Sequence, residues 1–205
     1  MSTTYNISVI NTSGKTQSYL LFAVVPKVSS VTGSVFTNVF MTAPPIVSKP
    51  NRSSSTTFTI TREFFAICGT SIRSLAAGVQ VGTSDYESAV LGTNQIPGTT
   101  FSFTTVDGAH FILPSPAKTA PNGAYTIATD SSFRIPNPNN TFVGLGGMST
   151  AGSVVPMATF LASPSDTYNI FPVVKYYIAT GSYSPGEIIN VQEIGVTQLV
   201  DFTGS

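Results

Sequence analysis

Short segments in which apolar and polar residues alternate recur from one end of the chain to the other. Turn residues separate these segments at intervals of roughly 8 to 12 residues, a spacing typical of sandwiches and barrels. Because successive side chains of a strand point to opposite faces, Tyr5, Ile7 and Val9 should share one face of a first strand. The pattern predicts an all-β fold, a two-sheet antiparallel β-sandwich that is jelly-roll-like and has very little helix.

Further segments with the same alternation predict most of the remaining strands. A single helical turn is expected only at residues 73–77, residues 48–57 should form a long loop, and the glycine-rich residues 144–147 should form a flexible connection. The predicted strands after the first one cover residues 18–25, 35–41, 56–65, 79–82, 99–106, 109–113, 124–128, 154–161, 169–178, 187–194 and 196–202.

The clearest local prediction is a hairpin over residues 99–113, because Asp-Gly at residues 107–108 is a type I′ turn signal between two alternating runs. In the register that this turn predicts, Phe103 faces Ile112. His110 would then lie opposite a hydroxyl near the rim of the sheet. A half-buried, hydrogen-bonded histidine is the expected result.

Charge is scarce in this chain of 205 residues, which we expect to form one domain over residues 1–205. Only 9% of the residues are charged, and nine basic residues balance nine acidic ones. The basic residues are scattered singly along the sequence, whereas nucleic-acid binding requires clustered Lys and Arg. The composition therefore predicts a surface of Ser, Thr, Asn, Gly and Pro, and no nucleic-acid partner.

Motifs for catalysis or cofactor binding are incomplete. His110 is the one histidine, and no Gly-x-Ser-x-Gly nucleophile turn is present. Cys68 is the one cysteine, lies in an apolar run and should be buried and unreactive. Because a structural zinc site needs about four Cys or His ligands and the chain has one of each, no such site can form. Asp85 and Glu87 would point the same way in an extended segment, but a solvated loop is favoured over a cation site. We predict no enzymatic activity, no cofactor and no metal.

The first residues carry no basic region followed by an apolar run, as a secretory leader would. No apolar run reaches the ~20 residues that cross a membrane as a helix. We expect a cytoplasmic protein without a membrane span, and secretion of a processed form stays open.

Two functional interpretations remain. The first is a non-catalytic, lectin-like recognition module for neutral, hydroxyl-rich ligands such as glycans. Its candidate ligand-binding residues are polar or aromatic positions expected in loops: Asp85, Tyr86, Asn139, Asn140 and Tyr183.

The alternative is a self-associating structural subunit that binds no small molecule. Near-zero net charge lowers the barrier to association, and few charges are available to guard the edges of sheets. Residues 35–41 and 196–200 contain no charge at all, so either the chain itself or another copy must cover them. A homo-oligomer is the partner that this interpretation predicts.

Overall fold

The computed structural model describes residues 3–49, 54–112 and 117–204. This part of the chain is all-β and contains no helix, which confirms the predicted fold class. Its strands, in chain order, are β1 Thr4–Asn11, β2 Gln17–Ala23, β3 Lys27–Val28, β4 Phe36–Ile46, β5 Ser54–Thr61, β6 Phe64–Gly69, β7 Asp85–Ala89, β8 Gly98–Thr104, β9 His110–Phe111, β10 Ala117–Ala120, β11 Tyr125–Thr129, β12 Phe142–Met148, β13 Val154–Leu161, β14 Thr167–Phe171, β15 Lys175–Thr180, β16 Ile188–Ile189 and β17 Gln198–Asp201.

Two large sheets form the layers of the sandwich. The nine-stranded sheet has the order β17-β15-β2-β4-β13-β12-β6-β7, with β16 also pairing with β4. The six-stranded sheet has the order β10-β8-β11-β14-β3, with β9 pairing with β8. A separate two-stranded ribbon joins β1 to β5. The pairing is antiparallel among the described strands except between β8 and β11, which run parallel, so the sandwich prediction holds with one parallel pair and an added ribbon.

The main hydrophobic core lies between the two large sheets. In β2, Leu21 and Ala23 belong to this core, while the alternating Leu20 and Phe22 belong to a second cluster on the outer face of the nine-stranded sheet. Side chains of the ribbon, such as Ile60, also join the main core. Its largest fully buried side chains are Tyr125, Tyr168, Phe40, Phe103 and Phe160.

Two long connections cover the outer face of the nine-stranded sheet. The first crossing, residues 70–84, packs Leu75 with Phe142. The second crossing, residues 181–194, packs Ile194 with Leu20. Backbone hydrogen bonds join the two crossings to each other, with Gly78 N–H donating to the carbonyl of Ile188. Central strands of the nine-stranded sheet, such as β6 and β12, are therefore buried on both faces, whereas its edge strands β7 and β17 are partly exposed. The strand predicted at residues 79–82 is wrong, because this segment belongs to the first crossing.

The glycine-rich residues 144–147 lie in the buried strand β12, so the predicted flexible connection is wrong. A Cβ at Gly144 would lie 2.1 Å from the carbonyl oxygen of Ala158 on the neighbouring strand. A Cβ at Gly147 would lie 2.5 Å from the sulfur of Met157. Close approach of neighbouring groups, and not chain flexibility, requires glycine here.

Several strand boundaries also differ from the prediction. Residues 56–65 are divided between β5 and β6, and residues 169–178 between β14 and β15. The predicted loop at residues 48–57 already contains the start of β5 at Ser54, and residues 50–53 lie outside the described part of the chain. The structure shows no helical turn at residues 73–77.

The hairpin between β8 and β9 forms, but its register is shifted by one residue from the predicted one. Phe103 pairs with Phe111 and Thr104 pairs with His110. Phe111 is consequently buried, whereas Ile112 is exposed. The shift follows from a longer loop, in which a turn closed from Gly108 N–H to the carbonyl of Thr105 replaces the expected two-residue turn.

Candidate functional site

Asp85, one of the predicted site residues, connects the two sheets. One of its carboxylate oxygens accepts a hydrogen bond from the Tyr86 N–H at 2.9 Å, and the other accepts one from the Phe111 N–H at 2.8 Å. Asp85 begins β7 at the edge of the nine-stranded sheet, and Phe111 belongs to β9 in the six-stranded sheet. Both carboxylate oxygens are therefore engaged by backbone groups of the protein.

Tyr86 follows Asp85 in β7, so the expectation that these two residues lie in a loop is wrong. Its ring is exposed and meets Phe65 of the adjacent strand edge-to-face, with the ring centroids 5.9 Å apart. An exposed tyrosine ring on an edge strand can still stack against a ligand.

Asn139 and Asn140 stand just before β12 and hold the first crossing. Asn140 Nδ2 donates to the carbonyl of Ser71 at 3.0 Å, and the Ser71 N–H donates to the carbonyl of Asn139 at 3.2 Å. The side-chain amide of Asn139 has no partner among the described residues. β12 and β7 both flank β6, with Phe142 opposite Gly69, so the asparagines lie at the same end of the sheet as Asp85.

Tyr183 lies in the second crossing, apart from the other predicted site residues. It packs with the outer-face cluster that contains Leu20 and Phe22. Its ring also covers Gly181, where a Cβ would come within 2.5 Å of the ring. Its contacts therefore belong to the packing of the second crossing.

A groove of about 410 Å³ lies beside Asn139. We call it the polar groove, and of the five predicted site residues only Asn139 lines it. Asn137 shapes its floor, because its side chain accepts the N–H of Thr141 at 2.9 Å and donates to the Thr141 carbonyl at 3.0 Å. The residues that line the polar groove are Thr105, Ser131, Ser132, Phe133, Arg134, Asn137, Pro138, Asn139 and Thr141.

Asp130 and Ser132 fix one wall of the polar groove. Asp130 accepts the N–H of Ser132 at 2.9 Å as well as its hydroxyl, and Ser132 Oγ accepts the N–H of Thr105 at 2.8 Å. Partial burial acts to raise the pKa of Asp130, but hydrogen bonds from Ser132 and Thr104 outweigh it and lower that pKa. The carboxylate is therefore ionised at neutral pH and holds the loop between β11 and β12 in place.

Thr141 gives the polar groove an unpaired hydroxyl. The residue is only 1% exposed, and its Oγ1 has no hydrogen-bond partner among the described residues. Within the described part of the chain, the unpaired side-chain oxygen that is fully enclosed is Thr83 Oγ1, and Thr141 is among the residues that line the groove. The side chains of Ser131 and Arg134 are likewise unpaired there. The groove thus offers several hydrogen-bonding groups to a ligand.

The groups considered for chemistry on the sequence lie elsewhere. Burial raises the pKa of the Cys68 thiol far above its ordinary value, and the thiol points to the carbonyl of Asp85 at 3.7 Å. His110 Nδ1 lies 3.0 Å from the carbonyl of Gly108. Neither residue lines the polar groove.

Within the ranges described, no three His, Cys, Asp or Glu side chains are grouped as metal ligands would be. Those ranges also contain no helix long and apolar enough to cross a bilayer.

Sequence reasoning missed the polar groove as a unit. Of the residues that line it, only Asn139 was selected from the sequence as a ligand-binding candidate. The nearest signal in the sequence was the density of hydroxyl and amide side chains between β11 and β12. Nothing local showed that Thr105, from the hairpin of the six-stranded sheet, would complete the wall.

Comparison with known proteins gives a match to a family. No curated protein and no solved structure matches the sequence. The model of the family described as RhiA matches residues 2–205, which is nearly the whole chain. The chain therefore belongs to the RhiA family.

Proposed function

We propose that the protein is a non-catalytic recognition module that binds neutral, hydroxyl-rich ligands such as glycans in the polar groove. The observation that carries this proposal is a groove of about 410 Å³ lined mainly by hydroxyl- and amide-bearing residues, among them the buried Thr141, whose hydroxyl has no partner among the described residues. A polar group in such a position stays hydrated in the free protein and can exchange that water for a ligand hydroxyl.

The lining of the polar groove suits a saccharide. Sugar hydroxyls both donate and accept, as do the side chains of Ser131, Asn139 and Thr141. The ring of Phe133 can stack against the apolar C–H face of a sugar ring. The planar guanidinium group of Arg134 adds hydrogen-bond donors. Neutral polar groups are less costly to desolvate than charges, so weak complementarity is enough for modest affinity.

Thr141→Val tests the site without disturbing the fold. Valine keeps the shape of threonine and removes a hydroxyl that has no partner among the described residues, so the unfolding free energy should change by less than about 0.5 kcal/mol. Loss of one hydrogen bond should weaken glycan affinity about 2- to 10-fold. A broad glycan array finds the ligand, and calorimetric titration with thermal unfolding measures both effects.

The matched control is Thr159→Val, at a threonine that is 0% exposed, lines no groove named here and donates its hydroxyl to Asn38 Oδ1 at 3.0 Å. This control should lose stability and keep its affinity, the reverse of Thr141→Val. Unchanged binding by Thr141→Val would place the ligand elsewhere. A folded protein that binds nothing on a broad array would contradict the recognition function itself.

A second candidate function, self-association, is favoured by an exposed apolar patch beside β17. Val196 is 94% exposed, and it lines a groove of about 330 Å³ together with Ile10 and Tyr19. β17 is the outermost strand of its sheet, so its free edge can pair with another chain. By contrast, residues 37–41 are buried within the chain itself. The charge-free segment at residues 196–200 is the one left uncovered.

Val196→Asp should abolish association through this patch, because pairing two copies would then bury carboxylates. Sedimentation velocity from about 1 μM to about 1 mM should show the wild-type coefficient rising with concentration and that of the variant staying constant. Val106→Asp, at an exposed valine of the β8–β9 hairpin, is the matched control and should behave as wild type. A wild-type protein that stays monomeric throughout would eliminate this candidate.

A further inference from the structure

Three grooves on the surface share lining residues, and we call them together the trough. The polar groove shares Asn137 with a middle groove of about 340 Å³. The middle groove shares Ser34 and Phe36 with a crossing groove of about 590 Å³, which runs between the two crossings. Residues 31–34, 36, 135, 137 and 161–163 contribute to the middle groove, and residues 34–37, 75–77 and 188–192 to the crossing groove.

The chemistry of the trough changes along its length. The middle groove is flanked by exposed apolar side chains, Ile135 and Leu161. The crossing groove is lined mainly by apolar residues and also by the side chains of Asn190 and Gln192. Asn190 Nδ2 donates to Glu193 at 2.8 Å, whereas the Gln192 side chain has no partner in the described part of the chain. A polar groove next to two grooves that combine apolar and polar side chains suits a ligand with repeated hydroxyls and apolar ring faces.

The charge of the trough and the elements that form its walls favour a saccharide chain over a nucleic-acid strand or an extended peptide. Arg134 is the only charged side chain among the described residues that line the three grooves. A nucleic-acid strand would require a cation for successive phosphates. An extended peptide is usually bound along a free strand edge, whereas connections between strands form most of this trough. A neutral saccharide chain needs neither feature.

We infer that the ligand of the polar groove is a linear neutral oligosaccharide whose successive units occupy all three grooves; this inference rests on the proposed function. The middle and crossing grooves offer fewer hydrogen-bonding side chains than the polar groove does. Units joined in one chain bind at a high effective concentration once the first is held, so weak contacts in the second and third grooves add to affinity. Recognition of the chain, and not of a single sugar, follows.

The test is a length series. Affinity is measured by calorimetric titration for gluco-, manno- and galacto-oligosaccharides of one to about eight units. For the series that binds, the affinity should rise at least about tenfold from the monosaccharide to the longest chain and then level off. Gln192→Ala should weaken the longest chain about 2- to 10-fold and leave the shortest unchanged, whereas Thr141→Val should weaken both.

The matched control is Gln95→Ala. Gln95 is another exposed glutamine, its side chain is unpaired among the described residues, and it lines none of the three grooves. This variant should bind every chain length as the wild type does. Equal affinity for the shortest and longest chains overturns the inference and leaves the proposed function standing. Binding of single-stranded nucleic acid or an extended peptide in the trough, with no saccharide bound, overturns both. So does a folded protein that binds no saccharide of any length.

Discussion

Gly144→Ala is expected to destabilise the protein by about 3 kcal/mol, among the largest effects of any single methyl group in this chain. The added Cβ would lie 2.1 Å from the carbonyl oxygen of Ala158, so β12 and β13 would have to separate. Separation would also strain the hydrogen bond from Tyr125 Oη to the Gly144 carbonyl, which is 2.9 Å long and crosses the core between the sheets. Urea unfolding followed by tyrosine fluorescence measures the change.

Gly195→Ala is the matched control, since a Cβ at Gly195 meets nothing within 4 Å. At this position, replacing glycine by alanine restricts only the conformational freedom of the unfolded chain. The free energy of unfolding should therefore change by less than about 1 kcal/mol. If both variants unfold at the wild-type urea concentration, close packing is not what requires glycine in β12.

Asn38→Leu should cost about 3 kcal/mol through the loss of a buried polar link. Asn38 is 0% exposed, its Nδ2 donates to the carbonyl of Gly186 at 3.0 Å, and its Oδ1 accepts the hydroxyl of Thr159. Leucine has a similar volume but leaves that hydroxyl without a partner. Since Gly186 lies in the second crossing, amide hydrogen exchange across residues 181–194 should accelerate in the variant.

A double-mutant cycle separates this link from simple packing. Thr159→Val removes only the hydroxyl, and combining it with Asn38→Leu removes both buried partners, so the double variant should be less destabilised than the sum of the single variants. Additive effects would show that the two side chains act independently. Unchanged exchange in the second crossing would show that Asn38 does not anchor it.

The strands that were predicted well are those with clear alternation and unambiguous turns. Residues 154–161 match β13 at both ends, and the alternation of Tyr5 and Ile7 places both side chains in the core. Here the local pattern and the tertiary structure agree, because one face of each segment is buried and the other is not.

The errors have physical causes that a single sequence does not reveal. Glycine in β12 looks like a turn former until the neighbouring Ala158 is known. Asp85 looks like a loop carboxylate until the N–H of Phe111 is placed beside it. The one-residue shift in the β8–β9 hairpin depends on where the turn closes, from Gly108 N–H to the carbonyl of Thr105, and the Asp-Gly signal does not determine that position.

The candidate site was predicted only in part. Asn139 was selected because it is a polar residue in a loop, and its side chain is available to a ligand in the polar groove. Thr141 was not selected, since a threonine beside a strand carries no signal of function. Its role depends on burial and on an unpaired oxygen, and both are properties of the folded chain.

The pairing of β2 has a consequence for how the chain acquires its structure. β2 pairs with β4 on one side and with β15 on the other, and β15 begins only at Lys175. During synthesis from the N-terminus, the edge of β2 that pairs with β15 therefore stays unpaired until most of the polypeptide has left the ribosome. Pairing between strands that are distant in sequence slows folding, and an unpaired strand edge can pair with the wrong strand. The nascent chain is at its most vulnerable before the C-terminal strands emerge.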